Sequence, residues 1–487
     1  MSDAIRNLKP TALWNNFADL NAVPRGSKKE EKVIKFMVAF GEKLGLETIV
    51  DPIENVIIKK PATPGMENRK TVVLQSHLDM VHQKNNDTVF DFDNDGIKMI
   101  IDGDWVTADG TTLGADNGLG VAAIMSILES NDIAHPAIEA LFTIDEETGM
   151  TGAMGLQAGY LDGEILLNLD TEDDTEIDMG CAGGIDVSAS GNYKQEAIPD
   201  NSTALQLDVK GLNGGHSGMD IHRGFGNANK IMNRILFETN DSGIKIVNIH
   251  GGSLRNAIPR ESTAVLVVPN TKLEEFKTKV EAIAKEIKKE FNTMDPGLEI
   301  ALSDYEKPVE FAMEAKSQTN LIKAIYSAHN GVFRMSPDME DLVETSNNVA
   351  IVVVENGSIS IDCLTRSAVE SSKMDLANTL RSSFELANYN VTFSGSYPGW
   401  QPNVNSAILG VMTDLYTKMF NKKPEIVACH AGLECGILGT NYPDMDMISF
   451  GPTIHGAHSP DERANIKSTQ KFWNYLLEIL QNIPERA

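Results

Sequence analysis

An α/β fold is predicted, with helices on both faces of a mixed sheet and a second α/β domain inserted into the first. Three observations predict it. Helical and strand-like segments alternate from Leu13 to about Asp186, as in a sheet covered on both sides. After Gly183-Gly184 the texture changes to alternating segments separated by strongly periodic helices, which suits a more antiparallel sheet. A histidine-bearing segment then returns beyond the turn-rich hinge Tyr397-Pro398-Gly399-Trp400-Gln401-Pro402 to complete the first domain. The expected division is residues 1–186 and 397–487 for the discontinuous domain and 187–396 for the insert. Length agrees, because 487 residues exceed what a single compact core organises.

The elements follow in order. Ser27-Lys28-Lys29-Glu30 has the form of a capping box. Val33, Phe36, Met37, Phe40 and Leu44 then recur at helical spacing and make an amphipathic helix. Residues 56–58 and 71–75 read as strands, and a helix over about 119–130 follows a Gly-rich turn. The apolar runs 137–144 and 165–169 suit central strands buried on both faces. In the insert, strand patterns occur at 203–209, 246–249, 262–268, 298–302, 350–354 and 358–363. Leu273, Phe276, Val280, Ile283 and Ile287 form the stripe of a helix that starts after Pro269-Asn270.

Composition narrows the partners. With 42 basic against 69 acidic residues the net charge is −27, a field that repels phosphate backbones, so nucleic acid is not expected to bind. No run approaches the ~18 apolar residues of a membrane span. Cys181, Cys363, Cys429 and Cys435 show no regular spacing and read as thiols of a reducing cytoplasm rather than a disulfide framework. The opening Met1-Ser2-Asp3-Ala4-Ile5-Arg6 lacks the apolar core of a secretion signal, and a cytoplasmic location is expected.

Five short motifs carry the chemistry: His77-Leu78-Asp79, Gly114-Ala115-Asp116-Asn117-Gly118, Asp145-Glu146-Glu147, Leu169-Asp170-Thr171, and His458 in Thr453-Ile454-His455-Gly456-Ala457-His458. Most follow strand candidates, and in α/β sheets ligands sit beyond the carboxyl ends of the strands. His77 and Asp79 are two apart, so in extended chain they face one side, as an imidazole ligand and the carboxylate that fixes its ring. Asp116 lies in a Gly-rich turn, where a carboxylate can reach two metals. Adjacent Glu146 and Glu147 would repel in a dry site unless cations compensate. One as ligand and the other as general base divides the labour. Asp170 again ends an apolar run, while His455 competes with His458. A bridging Asp with one His and one carboxylate on each side suits two divalent metals without thiolate: zinc, manganese or cobalt. Such a pair, ~3.5–4 Å apart, hydrolyses amides.

At these motifs the chain resembles the co-catalytic zinc peptidases that include carnosinases, aminoacylases and tripeptidases, and is nearer to the bacterial aminoacyl-histidine dipeptidases among them. The wording Ser76-His77-Leu78-Asp79-Met80-Val81, Asp109-Gly110-Thr111-Thr112-Leu113-Gly114-Ala115-Asp116-Asn117-Gly118 and Thr143-Ile144-Asp145-Glu146-Glu147-Thr148-Gly149-Met150 carries the likeness, which spans nearly the whole chain. The resemblance implies a discontinuous zinc-peptidase catalytic domain with an inserted α/β lid. It implies His77 and Asp170 on one metal, Glu147 and His458 on the other, Asp116 bridging through a cis peptide to Asn117, Asp79 orienting His77, and Glu146 as general base on a metal-bridging hydroxide. Two metals are implied, zinc first, with cobalt or manganese as alternatives. In the lid, Gly214-Gly215-His216-Ser217-Gly218 resembles the loop whose histidine stabilises an oxyanion, often in the partner site of a homodimer; His222 competes for that role. Asn256 and Arg366 look like substrate-carboxylate binders, and His430, Gly432 and Glu434 resemble a loop lining the substrate, with Glu434 able to meet an amine. The implied activity is hydrolysis of unblocked dipeptides, Xaa-His included; an N-acyl-amino-acid deacylase or tripeptidase with the same site is the alternative.

Overall fold

Two units organise the chain: one takes the chain up to Gly180, Pro402–Ala428 and the chain from Leu433, the other Cys181–Gln401 and Cys429–Gly432. The structure, a computed structural model, describes residues 3–486. Among them, the first unit builds an eight-stranded sheet. Its strands are β1 (Glu47–Val50), β2 (Val56–Lys60), β3 (Val72–His77), β4 (Ile138–Thr143), β5 (Ile165–Asn168), β6 (Glu176–Cys181), β7 (Glu425–Cys429) and β8 (Asp446–Ser449). The order across the sheet is β1-β2-β4-β3-β5-β8-β6-β7.

β4, β3, β5 and β8 are parallel neighbours, whereas β1, β2 and β6 pair antiparallel. Every residue of β3, β4 and β5 is buried, which is why they read as continuous apolar runs rather than alternating ones. His77 is registered with Thr143 and Gln75 with Asn168, so the carboxyl ends of the three strands lie level. The helix Ala115–Glu129 is buried along nearly its whole length. Gly120 permits its approach to the sheet: a Cβ there would meet Ser76 Oγ at 2.5 Å and the Leu169 carbonyl at 2.8 Å.

The expected capping box does not form. The helix Glu31–Lys43 has no side-chain cap. Ser27 Oγ instead donates to Asp79 Oδ2 at 2.8 Å, and Glu30 Oε1 accepts from the backbone N–H of Lys28 at 2.9 Å and of Asp145 at 3.1 Å. Both side chains meet buried partners from distant strand ends, and those partners outcompete the helix's own amides. Val33 and Met37 are buried as the periodicity predicts.

The second unit, among the described residues, builds a nine-stranded sheet. Its helix Leu273–Phe291 buries Phe276, Val280, Ile283 and Ile287 along the expected stripe. Two strands run further than predicted, over Val343–Glu355 and Ser358–Ser367. Their added residues are polar yet buried and satisfy one another: Thr365 Oγ1 donates to Asn347 Oδ1 at 3.0 Å, and Thr345 and Ser367 hydroxyls meet at 2.9 Å. Hydropathy does not register a strand of that kind. Among the described residues no helix is long and apolar enough to cross a membrane.

Candidate active site

Adjacent parallel strands deliver the expected residues to one edge. β3 ends on His77, β4 is followed by Asp145-Glu146-Glu147, β5 by Leu169-Asp170, and β8 by the segment that reaches His458. Asp116 enters from the helix Ala115–Glu129, and its peptide to Asn117 is cis, as the resemblance implied. His77 Nε2 lies 3.1 Å from Asp116 Oδ1 and 3.5 Å from Asp170 Oδ1. His458 Nε2 lies 3.2 Å from Asp116 Oδ2 and 2.8 Å from Glu147 Oε2. Two triads result, His77–Asp116–Asp170 and Asp116–Glu147–His458, with the ligand atoms of each within 4.8 Å of one another. They share Asp116. His455 is turned away and lies against Trp105, ring centroids 4.8 Å apart.

Asp79 works behind this edge. Its Oδ1 is 3.3 Å from His77 Nδ1, and its carboxylate accepts the N–H groups of Glu146 at 3.0 Å and Glu147 at 3.3 Å. It therefore aims one ring and holds the turn that carries both glutamates. Asn117 Nδ2 donates to the Leu169 carbonyl at 2.7 Å and to Asp170 Oδ1, fixing that carboxylate. A third acidic group, Glu30–Asp79–Asp145, also converges within 4.8 Å. Its oxygens are answered by protein donors, Asp145 by the Thr148 and Thr151 hydroxyls, and it has no call for an ion.

The two triads differ in that respect. Burial pushes the carboxyl groups of Glu146, Glu147 and Asp170 above their ordinary range, and neighbouring carboxylates push the same way. Burial works against ionised Asp116 too, but the His458 and His77 rings hold it well below the usual carboxylate range. Burial likewise opposes charge on His77, and Asp170, Asp116 and Asp79 outweigh it. Asp116 and Glu147 draw His458 up to about 11. Glu147 Oε1 is buried without a hydrogen-bond partner. Concentrated buried anion, an unanswered carboxylate oxygen and two imidazoles fit a pair of divalent cations bound through nitrogen and oxygen.

Beneath the triads runs a polar belt. Glu434 opens the helix Glu434–Asn441 and is buried, with Oε2 accepting from Gln75 Nε2 at 2.6 Å and Thr143 Oγ1 at 2.7 Å. Its Oε1 is buried without a partner, and burial pushes the carboxyl up to about 7. Gln75 accepts from Asn168, which accepts from Ser449, so the belt ties β4, β3, β5 and β8 one level below their ligands.

In the second unit, Arg366 is 4% exposed; its guanidinium donates to Tyr397 Oη at 2.9 Å and lies 3.5 Å from Ser217 Oγ and from His216 Nε2. His216 Nδ1 accepts the N–H groups of Gly218 at 3.3 Å and Met219 at 3.0 Å, which leaves the proton of the neutral ring on Nε2. Burial and Arg366 push its pKa down. His430 is buried with Nε2 2.8 Å from Ser346 Oγ, and burial, then Arg366 and His216, push it down to about 3. His222, the competitor of His216, sits exposed in the turn Ile221–Arg223. Asn256 is exposed and its carbonyl accepts Ser217 N–H at 2.8 Å; Gly432 is half-buried.

Sequence reasoning missed Arg25 and Glu462, both buried against the Asp116 turn. Pro24-Arg25-Gly26 and Asp461-Glu462-Arg463 carry no apolar period that would mark a buried charge. The one available hint was a carboxylate only four residues beyond His458.

Known proteins resemble this chain along its length. The family model for peptidase family M20/M25/M40 matches residues 73–482. The cytosol non-specific dipeptidase of Escherichia coli (strain K12) is 43% identical over 483 residues, covering 99% of each chain. The crystal structure of aminoacylhistidine dipeptidase from Vibrio alginolyticus is 44% identical, with a TM-score of 0.94 and 99% of each chain covered. The aminopeptidase PepT of Bacillus cereus shares the fold at 16% identity, with a TM-score of 0.58 over 98% of this chain and 99% of its own. The chain therefore belongs to peptidase family M20/M25/M40 and is a hydrolase of peptide bonds.

Proposed function

We propose that the chain is a metal-dependent dipeptidase that hydrolyses unblocked dipeptides, aminoacyl-histidines among them. One observation carries the reading: two triads share Asp116 beside Glu146, in a chain matched end to end by two dipeptidases. His77, Asp116 and Asp170 hold one divalent cation and Asp116, Glu147 and His458 the other, zinc first, with cobalt or manganese as alternatives. When bound, the pair supplies Lewis acidity and a nucleophile at neutral pH.

The chain's own residues do the rest. Glu146 accepts a proton from the attacking water and returns it to the leaving amine as the C–N bond breaks, so its carboxylate is regenerated. Asp79 keeps the His77 ring in place. His216 offers Nε2–H to the developing oxyanion, in its own or a partner subunit's site, a type of contact worth about 2.7–4 kcal/mol. Arg366 and Asn256 take the substrate carboxylate, His430 and Gly432 line it, and Glu434 takes the free amine through its unpaired Oε1. Groups of opposite charge for the two ends call for a substrate with both termini unblocked. A homodimer in the cytoplasm belongs to the same reading.

A screen of dipeptides, tripeptides and N-acyl amino acids with Zn²⁺, Mn²⁺ and Co²⁺ tests it. Release of both amino acids from carnosine or Gly-His is expected, with turnover lost when the same dipeptide is N-acetylated. Preference for the acetylated form would make the chain a deacylase; preference for tripeptides, a tripeptidase.

Arg366→Ala is expected to raise KM for dipeptides by about 10–150-fold, the ~1.5–3 kcal/mol of a hydrogen bond to a charged partner. A dipeptide amide, which lacks the carboxylate, suffers less. Equal losses on both substrates would detach Arg366 from the carboxylate.

A further inference from the structure

Glu462 lies on the segment that carries His458, four residues further on. The strand Arg463–Asn465 pairs with Trp105–Ala108, Arg463 opposite Thr107, and Thr107 Oγ1 donates to the Glu462 carbonyl at 2.8 Å. That register sends the Glu462 side chain inward, where it is 2% exposed. Its Oε2 accepts the N–H groups of Leu113 at 2.7 Å and Gly114 at 2.9 Å, and its Oε1 those of Ala115 at 2.7 Å and Asp116 at 3.3 Å.

Four successive amides turned toward one point form a concavity for an anion, and here the anion is internal. Gly114, with φ of 70°, makes the turn. A side chain there would collide with Arg25 Nη2, which a Cβ would meet at 2.5 Å. Arg25 grips the same turn from its carbonyl side: Nη2 donates to Gly114 O at 2.5 Å, while Nη1 donates to the carbonyls of Leu78 and Asp79 at 3.1 Å each. The turn that presents Asp116 is thus held between a carboxylate and a guanidinium. Arg25 joins it to the His77 strand end, and Glu462 joins it to the His458 segment.

We propose that Glu462 is a positioning residue: by clamping the four amides of the Asp116 turn, it holds the shared carboxylate at the right distance from His458 and sets the affinity for the second cation. The proposal rests on the metal-site reading above. A carboxylate this deeply buried is costly unless donors answer it, and the four N–H groups do so. A neutral amide could fill the same space. It could not accept all four N–H groups, because its own Nε2 is a donor.

The test is metal titration of the apoenzyme in wild type and Glu462→Gln, followed by calorimetry and the Co²⁺ absorption spectrum, with circular dichroism as the check of folding. Expected are a second-equivalent affinity weaker by about 10–100-fold, the usual effect of losing a residue behind a ligand, and an altered Co²⁺ spectrum. At saturating metal, kcat stays reduced while KM for a dipeptide is unchanged. A variant with wild-type affinity for both equivalents and a wild-type spectrum overturns the positioning role and leaves the metal site intact. A wild-type chain that binds fewer than two equivalents overturns both. Where Glu462→Gln fails to fold, Glu462→Asp, which reaches fewer of the amides, decides by the same titration: weakened second-site affinity supports the role and wild-type affinity ends it.

Discussion

Glu146→Gln is expected to lower kcat for dipeptide hydrolysis by about 10²–10⁴-fold, with both cations bound and KM little changed. Glu146 stands in neither triad, although it is adjacent to Glu147, which stands in one. Its backbone is pinned by Asp79, so the substitution leaves the turn in place and removes only the atom that accepts a proton. Glutamine preserves the shape and cannot carry the proton. The measurement pairs steady-state kinetics with metal analysis of the same sample. Full turnover at full metal content would exclude Glu146 from proton transfer. A rise in KM with kcat intact would instead make it a binding residue.

Asp116→Asn reaches further, because one carboxylate serves both triads. His77 Nε2 faces Oδ1 and His458 Nε2 faces Oδ2, at 3.1 and 3.2 Å. An amide leaves one acceptor and turns a donor toward the other side. Metal content is expected to fall below two per chain, and activity by more than about 100-fold, since residues merely behind a ligand are worth 10–100-fold in affinity or activity. Chelation of the wild type, followed by restoration with Zn²⁺ or Co²⁺, gives the matching control. Two equivalents bound to Asp116→Asn at wild-type affinity would remove Asp116 from the shared position.

The site was partly legible because parallel strands buried on both faces read as apolar runs, and function collects where such runs end. β3, β4 and β5 announce His77, Glu146-Glu147 and Asp170 in this way. Elsewhere the local pattern misled or stayed silent. Ser27 and Glu30 match a capping box, yet each has a buried partner far along the chain. The strand around Arg366 is polar, so no hydrophobic period marks its full extent. Glu462 looks like one more charged surface residue in a chain rich in acid.

The sequence by itself determined the α/β alternation, the change of texture in the middle of the chain, and the residue types available to hold cations. Those are local properties, carried by side-chain periodicity over a few turns or strands. Only the tertiary structure laid His455 against Trp105, set the His77 and His458 rings on opposite oxygens of Asp116, and turned Glu462 onto the amides of residues 113–116. Each of those outcomes depends on strand order and register between segments hundreds of residues apart. A shift of one residue in the pairing of Arg463 with Thr107 would send the neighbouring side chains to the opposite face.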